Sequence, residues 1–118
     1  MKLNWTERIS LTQSGVDRIK AIAGVYRLIH HDRSKDKYYI HYIGQAEDLN
    51  DRLTQHLSGN ETNECCQEHL DNYTCYFRAA AVSRQADRDG AEVALYNNYK
   101  PSCVDRIPDV DPIDINFD

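Results

Sequence analysis

The sequence lacks any long apolar run, and it contains little cysteine, proline, tryptophan and positive charge. Its 118 residues include four cysteines, three prolines and one tryptophan, and they carry a formal net charge of −5. A membrane-spanning helix needs roughly 20 consecutive apolar residues, so a membrane protein is not expected. The length fits a single domain with one modest core.

The shortage of positive charge is concentrated at the C-terminus. Residues 105–118 contain five aspartates and one arginine, so residues 1–104 carry a net charge of only −1. The sequence therefore argues against a broad basic surface, but it permits a small cationic groove that acts on phosphates. We expect one folded domain over residues 1–104 and an acidic tail over residues 105–118. The tail is either solvated or packed on the domain through its few apolar side chains.

The cysteines are too few, and too awkwardly spaced, to suggest a disulfide framework. No apolar block follows the first residues as in a secretory signal, so we expect reduced thiols in a cytoplasmic protein. The alternative is a zinc site whose ligands would be Cys65, Cys66, His69 and Cys75. Cys66 and His69 have a usable spacing, although a second close pair of ligands is absent.

Two β-rich runs, 24–31 and 38–44, flank a charged reversal and predict an antiparallel hairpin. Strand side chains alternate between the two faces of a sheet. The alternation predicts two sets of residues that each share one face. They are Tyr26, Leu28 and His30 on the first strand, and Ile40, Tyr42 and Gly44 on the second.

Helical patterns surround this hairpin. A capping-box-like start at Ser14 predicts a short helix over residues 14–22. Leucines repeat every four residues from Glu47 onward, which predicts an amphipathic helix that ends at Ser58-Gly59. Residues 74–82 read as a buried strand, and residues 84–99 as a last helix before a proline. The order of these elements indicates an α+β domain.

Two tripeptides, Gly24-Val25-Tyr26 and Tyr42-Ile43-Gly44, stand on the two hairpin strands. Arg52 and His56 follow one turn apart on the next helix, and Glu92 lies near the middle of the last helix. In this order and spacing, residues 22–104 resemble the GIY-YIG nuclease family. Each tripeptide alone is a weak signal, and it is the joint order that makes the resemblance specific.

The resemblance implies a three-stranded antiparallel sheet flanked by helices, and an endonuclease that hydrolyses phosphodiester bonds in DNA with one divalent metal. It implies that Tyr26 is the general base and that Tyr42 positions the water or the phosphate. Arg52 would hold the phosphate with its planar donor fork, and His56 would assist the phosphate or the tyrosine. Glu92 would be the single carboxylate ligand of Mg²⁺ or Mn²⁺. A tyrosine whose ordinary pKa is ~10 needs nearby positive charge to act as a base near neutral pH.

One position departs from the family pattern. Many members have an asparagine shortly after the proline that follows the last helix, and here that place is held by Val104, next to Asp105. The departure keeps an alternative open, in which a degenerate domain binds nucleic acid or protein without cutting. With no added DNA-reading element in residues 1–104, sequence specificity would come from a protein partner or a homodimer.

Overall fold

The computed structural model describes residues 1–58 and 63–117. Short elements precede the hairpin and longer helices follow it. In chain order they are β1 (Ile9–Ser10), α1 (Gln13–Val16), β2 (Gly24–Asp32), β3 (Lys37–Ala46), α2 (Leu49–Leu57), α3 (Glu64–Asn72), β4 (Thr74–Ala81) and α4 (Gln85–Tyr99). No helix of the described residues is long and apolar enough to cross a membrane.

The described strands form one antiparallel sheet in the order β1-β4-β2-β3. The α+β class, with an antiparallel sheet flanked by helices, is therefore confirmed, but the sheet has four strands rather than three. The additional strand, β1, has only two residues, and these pair with Phe77 and Tyr76 of β4. Two residues are too few to show an alternating pattern, which explains why the sequence does not reveal this strand.

Each face of the sheet is covered by a different set of helices. Tyr26, Leu28 and Phe77 pack with Leu53 of α2 on one face. On the opposite face, a second apolar cluster joins the sheet to α4 and to both chain ends, and its buried members include Leu3, Val25, Ile43, Ala80, Ala91, Leu95 and Ile115. The central strand β2 is consequently buried from both sides, as its almost continuous apolar run requires.

The predicted alternation fails at a bulge in β3. Leu28 pairs with Tyr42 and Ile29 pairs with Ile40, so His41 is the extra residue. An extra residue in one strand reverses the facing of the residues beyond it. The expectation that Ile40 shares a face with Tyr42 is therefore wrong, and Ile40 packs on the opposite cluster.

The helix boundaries agree in part with the sequence. α1 is much shorter than predicted and is capped by Thr12 rather than Ser14, because the Thr12 side chain accepts from the backbone of Gly15. α2 is capped by Asp48 and ends at Leu57, as its leucine repeat indicates. Gly59, the predicted stop signal, lies outside the described residues.

The expectation of four reduced thiols is wrong, since Cys65 and Cys103 form a disulfide. It joins the first turn of α3 to the segment that follows α4. Cys66 and Cys75 are buried thiols outside this bond. The zinc alternative also fails, because its four ligands do not gather into one cluster in the described part of the chain.

The acidic segment packs back along the domain. The Ile113 amide donates to the Gly90 carbonyl oxygen at 3.2 Å. The Asn116 side chain accepts from the Leu3 amide at 2.6 Å and donates to the Leu3 carbonyl oxygen at 2.9 Å. Trp5 Nε1 donates to the Asn116 carbonyl oxygen at 3.0 Å. The last described residues thus pair with the first ones and cover one face of the sheet.

Candidate active site

Tyr26 and Tyr42 lie on the same face of the hairpin, on neighbouring strands. Tyr26 is opposite Gly44 and Tyr42 is opposite Leu28 in the β2–β3 register. Diagonal neighbours on one sheet face are within reach of aromatic side chains. The two ring centroids are 6.1 Å apart.

His56 completes a group of three rings with the two tyrosines. It lies in the last turn of α2 and is 2% exposed. Its Nε2 atom is 2.8 Å from the Tyr26 hydroxyl oxygen, and its ring meets the Tyr42 ring edge-on at 5.3 Å. Tyr26 and His56 are therefore in direct hydrogen-bonding contact.

Gly44 is the reason that the Tyr26 hydroxyl can lie where it does. A Cβ atom at position 44 would stand 2.5 Å from the Tyr26 hydroxyl oxygen, far inside van der Waals contact. The two halves of the motif thus form one unit, in which the first supplies a tyrosine and the second supplies the space for it.

Tyr42 points toward the chain that follows α4. Its hydroxyl donates to Asp105 Oδ2 at 2.8 Å, and the Asn63 side-chain Nδ2 donates to Asp105 Oδ1 at 2.9 Å. Burial, the hydrogen bond to Asp105 and the charge of that carboxylate raise the pKa of Tyr42 well above its ordinary value. The positive charge of Arg52 acts in the opposite direction. Tyr42 is consequently a hydrogen-bonding group rather than a base at neutral pH.

Arg52 is on the solvent side of α2, one turn before His56. Its guanidinium donates to Gln55 at 3.1 Å and is close enough to Tyr42 to lower that pKa. Arg106 approaches from the chain that follows α4 and lines the same cleft. Two guanidinium groups from separate parts of the chain therefore border one opening.

Glu92 lies on the buried side of α4, with 8% of its surface exposed. Burial raises the pKa of this carboxyl to about 7, and the nearby charges of Asp89 and Asp105 add to the rise, whereas a hydrogen bond from Gln45 opposes it. Neither of the two ion pairs found in the described residues includes Glu92. A cation bound here would relieve the repulsion between these carboxylates, and a single carboxylate with waters is a usual magnesium site.

These side chains meet at an open cleft of about 310 Å³. Three of the five predicted site residues line it directly. Tyr26 is fully buried with its hydroxyl against Gly44, and His56 contacts that hydroxyl. The lining residues are Tyr42, Gly44, Gln45, Arg52, Glu92, Asp105, Arg106 and Pro108.

Part of this site has no signal in the sequence motifs. They point to Asp105 only as the neighbour of Val104, where the family's asparagine is absent, and nothing in them points to Asn63, which caps α3 and donates to Asp105. Gln45 and Asp89 were also missed, and they share a hydrogen bond of 2.7 Å beside Glu92. Because Gln45 directly follows Gly44 on the strand, the motif could have pointed to it as a site residue. Asn63 is far from Asp105 in sequence, so no local pattern predicts their contact.

No protein-family model and no curated protein sequence matches the chain significantly. Solved structures of one domain do match it, the GIY-YIG N-terminal endonuclease domain of UvrC from Thermotoga maritima. The magnesium-bound form is 21% identical with a TM-score of 0.55, covering 76% of this chain and 91% of that domain. A variant in which alanine replaces an asparagine, bound to a divalent cation, is 21% identical with a TM-score of 0.57, covering 80% and 94%. The chain thus has the GIY-YIG fold that its motifs predict.

Proposed function

We propose that this chain, which has the fold of GIY-YIG endonuclease domains, is a metal-dependent endonuclease that hydrolyses phosphodiester bonds in DNA. The observation that carries the proposal is a cleft lined by Tyr42, Arg52 and Glu92, with the Tyr26 hydroxyl packed against Gly44 of the same lining. Hydrolysis of a phosphodiester needs a base for water, cationic donors for the phosphate and stabilisation of the leaving oxygen. Each group in the cleft suits one of these tasks.

Tyr26 would act as the general base through His56. With its proton on Nδ1, His56 accepts at Nε2 the hydrogen bond that the Tyr26 hydroxyl donates over 2.8 Å. This contact gives the phenol proton a place to move as the tyrosine oxygen takes a proton from water. Tyr26 is fully buried, and its oxygen lies against Gly44, which lines the cleft. An attacking water would therefore have to enter beside Gly44 to reach that oxygen.

Arg52 and Arg106 would bind the scissile phosphate from the open side of the cleft. A guanidinium offers two parallel donors to two phosphate oxygens, which a lysine cannot do. Tyr42 is fixed by its bond to Asp105 and keeps lone pairs on its oxygen, so it orients the attacking water.

Glu92 would hold Mg²⁺ or Mn²⁺. Asp89 and Asp105 are close enough to interact electrostatically with the Glu92 carboxylate. The bound ion supplies Lewis-acid stabilisation of charge on phosphate and leaving-group oxygens. The partner of the protein would be DNA, with a second protein or a second copy of this chain providing any sequence specificity.

A second candidate is a GIY-YIG domain that binds nucleic acid or protein without cutting. Asp105 favours it, because this carboxylate stands at the edge of the cleft in the region of the missing asparagine and brings negative charge toward the phosphate site. Metal dependence separates the two candidates, since a binding module has no need of a cation at Glu92.

The decisive experiment is a cleavage assay on single-stranded, duplex and branched DNA with Mg²⁺, Mn²⁺ or EDTA. Tyr26→Phe and Glu92→Gln should each lower the cleavage rate by about 100-fold or more. Tyr38→Phe and Glu68→Gln change the same residue types at exposed positions and should cut like the parent. Folded parent protein that binds DNA but leaves every substrate intact with both metals would contradict the nuclease and favour the binding module.

A further inference from the structure

Three histidines from three elements meet at the end of the hairpin away from the Glu92 cleft. His30 lies on β2, His41 is the bulged residue of β3, and His69 lies on α3. We call them the histidine cluster. The ring centroids are 5.0 Å apart for His30 and His41, 4.7 Å for His30 and His69, and 4.4 Å for His41 and His69. One ring nitrogen of each histidine lies within 4.8 Å of the ring nitrogens of the other two.

The spacing of His30 and His41 is close to that of two ligands on one ion. Their Nδ1 atoms are 3.0 Å apart and share a hydrogen bond, so one of them carries a proton that would have to move to its own Nε2 before both could bind an ion. Two imidazole nitrogens bound to one tetrahedral zinc at the usual ~2.05 Å are about 3.3 Å apart. Side-chain rotations would therefore allow both nitrogens to contact the same ion. The His69 ring stacks on His41 with 6° between their planes, so it would have to turn to direct its Nε2 at that ion.

His69 is already held in a form that suits coordination. Its Nδ1 atom is 2.8 Å from the Cys65 carbonyl oxygen, which only accepts, so Nδ1 carries the proton and Nε2 carries the lone pair. A carbonyl that accepts from the second ring nitrogen is the usual support of a metal-binding histidine. The Cys65–Cys103 disulfide and the hydrogen bond from the Cys103 amide to the His41 carbonyl oxygen tie α3 to β3 at this point.

The histidine cluster is buried on one side and accessible on the other. His41 is 1% exposed, whereas His30 and His69 are partly exposed. The cluster opens on one side into a cleft of about 570 Å³, which His30 and His69 line together with Tyr39 and Lys100. Water or a ligand can reach the cluster from this cleft.

We propose that the histidine cluster binds one zinc ion through three imidazoles, with a fourth position open to the adjoining cleft. Three neutral imidazoles suit zinc, and an open fourth position distinguishes such a centre from a closed structural site. The neighbouring set Cys65, His69 and Cys103 also lies within ligand distance. That set is disfavoured because the sulfurs are joined to each other and His69 Nδ1 is bonded to the Cys65 carbonyl.

The test is a titration of untagged, chelator-treated full-length protein with Zn²⁺ alone, without reductant, followed by calorimetry and by metal analysis after dialysis. We expect one zinc per chain. His30→Ala and His69→Ala, which change partly exposed residues, should each weaken binding by about 100-fold or more. His31→Ala is the matched control, since His31 is adjacent on the strand and pairs with Asp36 instead. Glu92→Gln should keep the one zinc that survives dialysis, and any weaker zinc that this variant loses belongs to the Glu92 cleft instead.

Cobalt substitution identifies the ligands independently of affinity. The cobalt-loaded protein should show the visible bands of a low-symmetry nitrogen site without a thiolate-to-metal charge-transfer band. Three results would overturn the proposal. They are folded parent protein that takes up no zinc, histidine variants that bind as tightly as the parent, and binding that appears only with reductant and disappears in Cys103→Ser.

Discussion

Gly44 packs against the Tyr26 side chain. Any other residue at this position would place its Cβ atom 2.5 Å from the Tyr26 hydroxyl oxygen. Gly44→Ala should therefore push the Tyr26 ring off His56. We expect a loss of about 1–3 kcal/mol in the free energy of unfolding, as for other overpacked cores, together with a larger loss of cleavage. Urea unfolding and the cleavage assay measure the two effects. The same Cβ would also stand 2.5 Å from the ring carbon Cζ, so Tyr26→Phe would not relieve the clash. In Tyr26→Ala, which lacks the ring, the added alanine should cost less stability, and equal costs in the parent and Tyr26→Ala backgrounds would argue against this clash.

The buried Glu92 carboxyl should make the stability of the metal-free protein depend on pH. In metal-free protein its pKa is about 7 against an ordinary value of 4.5, so the folded chain binds this proton more tightly than the unfolded chain. The contribution of Glu92 to stability is complete below about pH 4.5 and is lost as the pH rises through 7. The stability of the EDTA-treated parent should fall across this window relative to that of Glu92→Gln, and Mg²⁺ should restore it in the parent alone. Parallel pH profiles for the two proteins would contradict the assignment.

Among the elements, those with a strong local signal could be predicted from the sequence. The hairpin has two β-rich runs around a charged reversal, and the leucines of α2 repeat every four residues, so both were placed close to their observed bounds. The bulge at His41 and the two-residue strand β1 could not be predicted, because one inserted residue or two paired residues leave no periodic trace. The Thr12 cap was missed because Ser14 offered an equally good hydroxyl two residues later.

The disulfide links two elements that the sequence shows no reason to join. It closes a loop with a sequence separation of 38 residues between α3 and the segment after α4. Loop-closure entropy for such a loop corresponds to about 4 kcal/mol. Cys103→Ser should therefore lower the free energy of unfolding by up to that amount, measured by urea unfolding without reductant. Reductant should lower the stability of the parent but not that of Cys103→Ser. Cys75→Ser, which changes a buried thiol outside the bond, is the control and should respond to reductant like the parent.

At the scale of the whole molecule, the order of motifs located the candidate site but not its supports. The order and spacing of the motifs predict five site residues, and three of them, Tyr42, Arg52 and Glu92, line one cleft. The full predicted set is Tyr26, Tyr42, Arg52, His56 and Glu92. Asn63 and Asp105 are 42 residues apart and meet only because the chain turns back after α4. Contacts of this kind depend on tertiary packing, which local patterns do not encode.

The two chain ends give the last prediction. Asn116 satisfies both backbone groups of Leu3, and Ile115 joins the apolar cluster that contains Leu3. Asn116→Ala leaves that amide and that carbonyl without their partner, so we expect a loss of about 1–3 kcal/mol in unfolding free energy and faster hydrogen exchange at the Leu3 amide. Asp109→Ala changes an exposed residue of the same segment and should leave both measurements unchanged. If Asn116→Ala behaves like Asp109→Ala, the acidic segment is not docked in solution, and its aspartates are free to approach the phosphate site.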